Sequence, residues 1–341
     1  MKSRYIAVCY MGSSLLLWPA FLQATSTSGT TSFAFLNLPV GARATAMGQA
    51  FASVPNDVQG LTYNPACLAT MAASQLSFQH LSYVEDVTQE AISFGHAGRS
   101  EEMSWGISSN YLRVGDISRT VATSLPTGDG FTEVGSFSTY DMALGVSAAG
   151  PVAEDVKVGG TVKFIHESLA DASSSAGAVD AGIAYRLSDA HAWNIGASAG
   201  NIGFASRFAD AAVKLPSFFR AGISGQPFSQ WLLAADYVKR VDTAGEFDVG
   251  AEVTPKRFVS LRLGYRYALS RPDMGGLSDF SAGIGFRHKQ MSFDYAFIPL
   301  GDLGITHRIS VNFRFKPRDD SPPTEQPENA STESVLKSAP H

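Results

Sequence analysis

Eight charged residues in the C-terminal third of the chain interrupt otherwise apolar segments, three times as evenly spaced pairs and twice singly: Asp248 and Glu252, Arg262 and Arg266, Arg287, Asp294, and Arg308 and Arg314. Opposite charges so placed can brace one another as a solvated ion-pair lattice, or line a polar passage and select what crosses it. Both uses require strands, because only a period of two puts these residues on one face and their apolar neighbours on the other. Other chemistry is poorly supported. Gly196-Ala197-Ser198-Ala199-Gly200 fits a nucleophile elbow, which needs a sharp strand-to-helix turn; here it lies within an alternating segment and reads as small residues at a close packing contact. Gly283-Ile284-Gly285 lacks the third glycine and the βαβ setting of a nucleotide loop. The seven histidines are scattered, with no pair at i, i+4 and no cysteine cluster. The expectation is no catalytic site, no cofactor and no metal.

The elements that must position the charges run from Gln75 to Phe315, as about fourteen alternating segments. In the last, Ile305, His307, Ile309, Val311, Phe313 and Phe315 share one face while Arg308, Ser310, Asn312 and Arg314 share the other. One face suits lipid and the other a wet lumen. Turning the charges to the lipid side would cost about 2 to 4 kcal/mol for an Arg or Lys at mid-bilayer, and less for carboxylates, so the register is well specified. Connections such as Gly150 to Glu154 and His288 to Gln290 are short. Gly115 to Gly135, Glu167 to Ala176 and Asn201 to Leu215 alternate with them as long, outward-facing loops. This is the pattern of an all-β, transmembrane antiparallel β-barrel in an outer membrane.

Composition and address agree. Charged residues are 17% of the chain, against roughly 25% in soluble proteins. Lys2 and Arg4 precede an apolar run from Tyr5 to Leu22, which reads as a secretory signal over 1–24. No later stretch supplies the eighteen or so apolar residues of a helical span, which leaves strands to cross the membrane. Cys9 departs with the signal and Cys67 stands alone, so there is no disulfide framework. A net charge of -5 argues against nucleic acid as a partner.

Residues 25–74 do not read as strands and form an expected hatch, or plug, in or under the periplasmic end of the barrel at 75–315. Val40, Ala44, Met47 and Phe51 make the apolar stripe of one short helix between Pro39 and Pro55. Asn64 caps a second, with Pro65 at its first position. Arg43 is placed to latch the hatch to an acidic barrel wall, and Met47, Phe51 and Leu61 are the expected contacts for an apolar ligand. The tail 316–341, rich in Pro, Ser, Glu and Asp, reads as disordered and periplasmic.

The run GTTSFAFLNLPVGARATAMGQAFASVPNDVQGLTYNPACLA, Gly29 to Ala69, resembles the N-terminal region of the PorV/PorQ family, also catalogued as UPF0164, within the FadL-like superfamily. The resemblance implies a fourteen-strand barrel whose hatch is marked by Arg43, Met47 and Gly48, then Asp57, then Asn64, Pro65 and Ala66. Where this chain has Cys67 the family usually has Gly, which suggests tighter packing here. The resemblance implies one of two non-enzymatic roles, and a third stands beside them as an option the residues leave open. FadL-like members pass hydrophobic small molecules, which leave through a gap in the wall after the hatch shifts. PorV and PorQ serve type IX secretion, with secreted protein cargo and secretion components as partners. A structural outer-membrane scaffold, with lipid its main partner, is the third.

Overall fold

The computed structural model describes residues 31–98, 102–125, 128–188, 191–207, 213–270, 278–301 and 304–315. The expected signal segment and tail lie outside them. Fourteen antiparallel strands close into one barrel. They are β1 (Gln75–Ser82), β2 (Val87–His96), β3 (Ser104–Leu125), β4 (Gly128–Pro151), β5 (Val156–Leu169), β6 (Ala172–Ser188), β7 (Trp193–Ala205), β8 (Phe218–Phe228), β9 (Trp231–Arg240), β10 (Glu246–Lys256), β11 (Val259–Ala268), β12 (Phe280–His288), β13 (Met291–Pro299) and β14 (Ile305–Arg314). β1 closes on β14 from Gln75 opposite Arg314 to Ser82 opposite His307, which removes the sheet edge a membrane cannot solvate. Alternation is plain in β14, where Thr306, Arg308 and Ser310 are buried and Ile305 and Ile309 are exposed.

The connections 97–103, 152–155, 189–192, 229–230, 257–258 and 289–290 define a short-turn end; the other is called the loop end. There the expected loop Gly115 to Gly135 proves to be strand. β3 and β4 stay paired up to Leu125 opposite Gly128. Glu167 to Ala176 is likewise mostly ladder, with Leu169 opposite Ala172. The first carries Ser, Thr and Gly on either face and the second Ser and Ala, so neither has one apolar face, and the hydrophobic period that marks a strand is lost.

Residues 31–74 occupy the lumen over its whole height rather than its periplasmic end alone. At the loop end Ser32 N donates to Lys214 O (3.0 Å) and Phe33 N to Glu167 Oε2 (2.7 Å); at the short-turn end Phe315 N donates to Ser74 O (2.9 Å). Among the described residues one α-helix forms, α1 (Ala42–Ala46), with 3-10 turns at Ala34–Asn37, Val58–Thr62 and Pro65–Thr70. The stripe from Val40 to Phe51 is thus not one helix. Gly48 (φ 64°) and Gln49 (φ 67°) take left-handed conformations that end it, and Phe51 reaches the core from the following turn.

The wall is cut to receive this segment. A Cβ at Gly264 would lie 1.9 Å from Gly48 N, and one at Gly196 2.0 Å from Ala52 O. Only glycine lets the two backbones approach so closely. Inward polar side chains answer the segment's backbone: Ser310 Oγ accepts from Ala42 N (2.9 Å), Ser281 Oγ from Gly48 N (3.2 Å) and Gln75 Oε1 from Val58 N (3.2 Å). Irregular backbone buried in a barrel needs these partners.

Candidate functional site

Arg43 projects from α1 to the wall, and its guanidinium is fully engaged. Nε and Nη2 donate to the two Glu252 oxygens of β10, each at 2.8 Å, and Nη1 donates to Asp57 Oδ2 at 2.9 Å. The bidentate fork fixes geometry as well as charge. Burial pulls the Arg43 pKa down, but the carboxylates of Glu252 and Asp57 more than reverse this and hold it above the guanidinium's ordinary value. Glu252 Oε2 also accepts from Arg262 Nε (2.6 Å), whose Nη1 reaches Asp294 Oδ1 (2.7 Å), and Asp294 Oδ2 accepts from Asn312 (2.7 Å). A single ionic chain therefore joins the lumenal segment to β10, β11, β13 and β14.

A second anchor joins the expected Asp248 to Asp236, Arg220 and Tyr63, which the sequence did not single out. Asp236 Oδ2 of β9 accepts from Phe51 N (2.8 Å), Ala52 N (2.9 Å) and Arg220 Nη1 (2.8 Å). Arg220, from β8, also donates to Gln49 O (2.6 Å) and to Asp248 Oδ2 (3.2 Å), and stacks over Tyr63 at 5.2 Å. Burial pushes the Tyr63 hydroxyl up to about 12 against the nearby Arg308 and Arg220; it donates to Val40 O at 2.9 Å. Lys163 and Asp180 pair at 2.8 Å on β5 and β6. The signal for these residues was present as inward positions of alternating strands, but Asp180 and Asp236 stand beside Ala181 and Ala235, and Arg220 is the one charge of β8, so none of them marks a charged face.

Asn64, another of the expected hatch residues, ties its own segment to the wall. Its Oδ1 accepts from Ala66 N (3.0 Å), capping the turn that Pro65 opens, while Nδ2 donates to Ala52 O (2.7 Å) and across to Ile183 O of β6 (3.0 Å). Asp57 caps the preceding turn through Gln59 N at 2.9 Å. Cys67, buried within the turn that Pro65 opens, rests its thiol 3.6 Å from Ala52 O, and burial pushes that thiol up to about 12, helped by Asp236 and Asp57.

The inward charges do not form one lattice. Asp248, Glu252, Arg262 and Asp294 join the networks above; Arg308, 3% exposed, donates to Thr45 Oγ1 and, at 3.4 Å, to Gln89, both neutral. Arg266 is half-buried opposite Asp248. Arg287 and Arg314 sit instead at the short-turn mouth, with Arg43, Asp57 and Arg262, around a small cavity of about 70 Å³. Arg287 is exposed and, among the described residues, braces nothing in the interior.

Met47, Phe51 and Leu61 are 0%, 0% and 2% exposed. Met47 and Phe51 pack with Val54 and Tyr63 in one cluster, so in this state they present no surface to a ligand. Leu61 does line a cavity of about 100 Å³ toward the loop end, with Leu36, Pro39, Val40, Phe218 and Lys163 among its walls. An engineered cavity that takes benzene measures about 150 Å³. The space is too small for an aromatic ring until the segment moves. Ser198, within the elbow-like run, donates to Tyr63 O at 2.7 Å, a packing contact.

The family model of the uncharacterised protein family UPF0164 matches residues 20–285. No curated protein matches the sequence. Solved structures share the fold at low identity. The toluene transporter TbuX of Ralstonia pickettii is 15% identical with a TM-score of 0.56, covering 81% of this chain and 98% of that one. The toluene transporter TodX of Pseudomonas putida is 12% identical with a TM-score of 0.55, at 81% and 98%. A FadL homologue from Pseudomonas aeruginosa is 11% identical with a TM-score of 0.50, at 86% and 98%.

Proposed function

This chain belongs to the uncharacterised protein family UPF0164, and we propose that it is a plugged outer-membrane conduit that passes hydrophobic small molecules from the loop end into the bilayer. The observation that carries the reading is a thin stretch of wall. The lumenal cavity and an apolar groove of about 600 Å³ on the lipid face, walled by Ile92, Phe94, Leu144 and Phe164, share Ser108, Ser109 and Gly145. Little side chain separates an amphipathic interior from lipid at that point. The pairing of Ser108 with Gly145 must part locally for a molecule to leave, and it does so between two of the smallest side chains available. That channels for aromatic hydrocarbons share the fold is in keeping with this use.

In this mechanism the segment 31–74 acts as the gate. An apolar compound entering beside Leu36, Val40 and Leu61 enlarges the cavity by displacing the segment, and the ionic anchors at Glu252 and Asp236 resist until binding offsets their loss. The chemistry is non-covalent throughout. Filling the thin stretch with Ser109→Trp is expected to stop uptake of a fluorescent hydrocarbon by reconstituted vesicles while the barrel stays assembled. Uptake at the unmodified rate would remove the lateral route.

A further inference from the structure

The barrel wall does not end evenly. Val87, the first residue of β2, pairs with Val114, and Leu169, the last of β5, pairs with Thr139. Beyond these points 115–125 and 128–138 pair only with each other. Among the described residues no other backbone hydrogen bond reaches them. Eleven residues of strand extend about 36 Å at some 3.3 Å each, so the hairpin rises past its neighbours and meets the turn after β5 through an Arg119–Asp171 ion pair. A lone two-stranded ribbon is marginal in water, and both its edges offer unpaired N–H and C=O groups.

The two edges differ. The β4 edge is broken by Gly128, Gly130 and Gly135, the last at φ 133°, and carries Glu133. Such features blunt a strand against pairing. The β3 edge from Ile117 to Leu125 has no Gly or Pro and is rich in β-branched residues, and its one charge, Arg119, is already paired with Asp171 at 2.7 Å. Only another extended backbone matches the spacing of the groups along that edge. A strand added there continues the track of β2, and its lower end meets the exposed acids Glu85 and Asp86 in the turn above β2.

We propose that the β3 edge of this hairpin binds an extended segment of a partner protein as an added antiparallel strand, with a basic side chain near the end that meets Glu85 and Asp86. The mode is strand addition, in which backbone bonds give affinity and alternate side chains give specificity. It is independent of the conduit reading, since the hairpin lies outside the lumen.

With two residues joining β3 to β4, Leu125 and Gly128 close the ladder as a doubly bonded pair, and the N–H groups of Ala122 and Thr120 point to the free edge. The test places a photo-reactive benzoylphenylalanine at Thr120 of the full chain in the cells that make it, with and without Ala122→Pro or Ala122→Ser. The expected result is an adduct with a different protein, mapped to one extended segment. Its yield should fall roughly tenfold with Ala122→Pro, the factor carried by about 1.4 kcal/mol, and hold with Ala122→Ser. Gel mobility before and after heating checks that both variants assemble, and exchange of the Val121 and Thr123 amides checks that the hairpin persists. No adduct, an adduct between two copies of this chain, or a yield indifferent to proline would each overturn the proposal.

Discussion

Arg43→Met is the sharpest perturbation of the gate, because it removes a charge and three hydrogen bonds while keeping an apolar stem of similar length. Breaking one partner from a buried pair costs about 3 to 5 kcal/mol. Here Glu252 keeps Arg262 at 2.6 Å, Asp57 keeps Gln59 N at 2.9 Å, and the Arg43 side chain is 17% exposed. These retained partners lower the expected cost to about 2 to 3 kcal/mol, roughly a 30- to 150-fold shift toward the released segment. Cys67 reports the shift without added labels, being 1% exposed and held protonated by burial that pushes its thiol to about 12. Asp57 caps the turn Val58–Thr62, which packs on the turn carrying Cys67, so freeing Arg43 loosens the cover over the thiol. At pH 8 the labelling rate of folded protein should rise by that factor, with the barrel still heat-modifiable on a gel. A rate within about twofold of the unmodified protein would mean that the Arg43 contacts do not hold the segment in place.

Gly264→Ala should act from the wall side. The new methyl meets Gly48 N at 1.9 Å, and overpacking of about 1 to 3 kcal/mol should raise Cys67 labelling more than it lowers barrel unfolding temperature. Asn64→Ala removes a cap worth about 1 kcal/mol and takes one donor from each of the carbonyls of Ala52 and Ile183, so hydrogen exchange should quicken over 64–70 with the strands still protected. The segment should also loosen in alkali. Cys67 titrates near about 8.5 when free and about 12 in place, so above pH 8.5 the released state sheds a proton that the closed one keeps. Closed-state stability is whole below pH 8.5 and falls by about 1.4 kcal/mol per unit above it. Exchange of the Val58–Thr70 amides at pH 8 and 9.5, with Cys67→Ala expected to flatten the trend, checks the sign.

The barrel was legible wherever lipid faces one side and water the other. β11 and β14 could be laid out residue by residue because Leu261, Leu263, Ile309 and Val311 alternate with Arg262, Gly264, Arg308 and Ser310. Past the membrane that contrast disappears, which hid the paired stretch 115–138. The lumenal segment was legible in its caps, since Asn64-Pro65 and Asp57 act locally. It was not legible in its path, because Gly48 and Gln49 break a helix that the apolar spacing of Met47 and Phe51 suggested. Arg43 could be singled out as a cation near an acidic wall. Its partner Asp57, and the role of Asp236 as acceptor for two backbone amides, depend on chain crossings that spacing does not encode.

The most direct test of the conduit is uptake by vesicles holding the purified, unmodified barrel. Toluene or a fluorescent hydrocarbon should enter the bilayer faster than in protein-free vesicles, and faster again with Arg43→Met. Rates equal to protein-free vesicles for both proteins would contradict it.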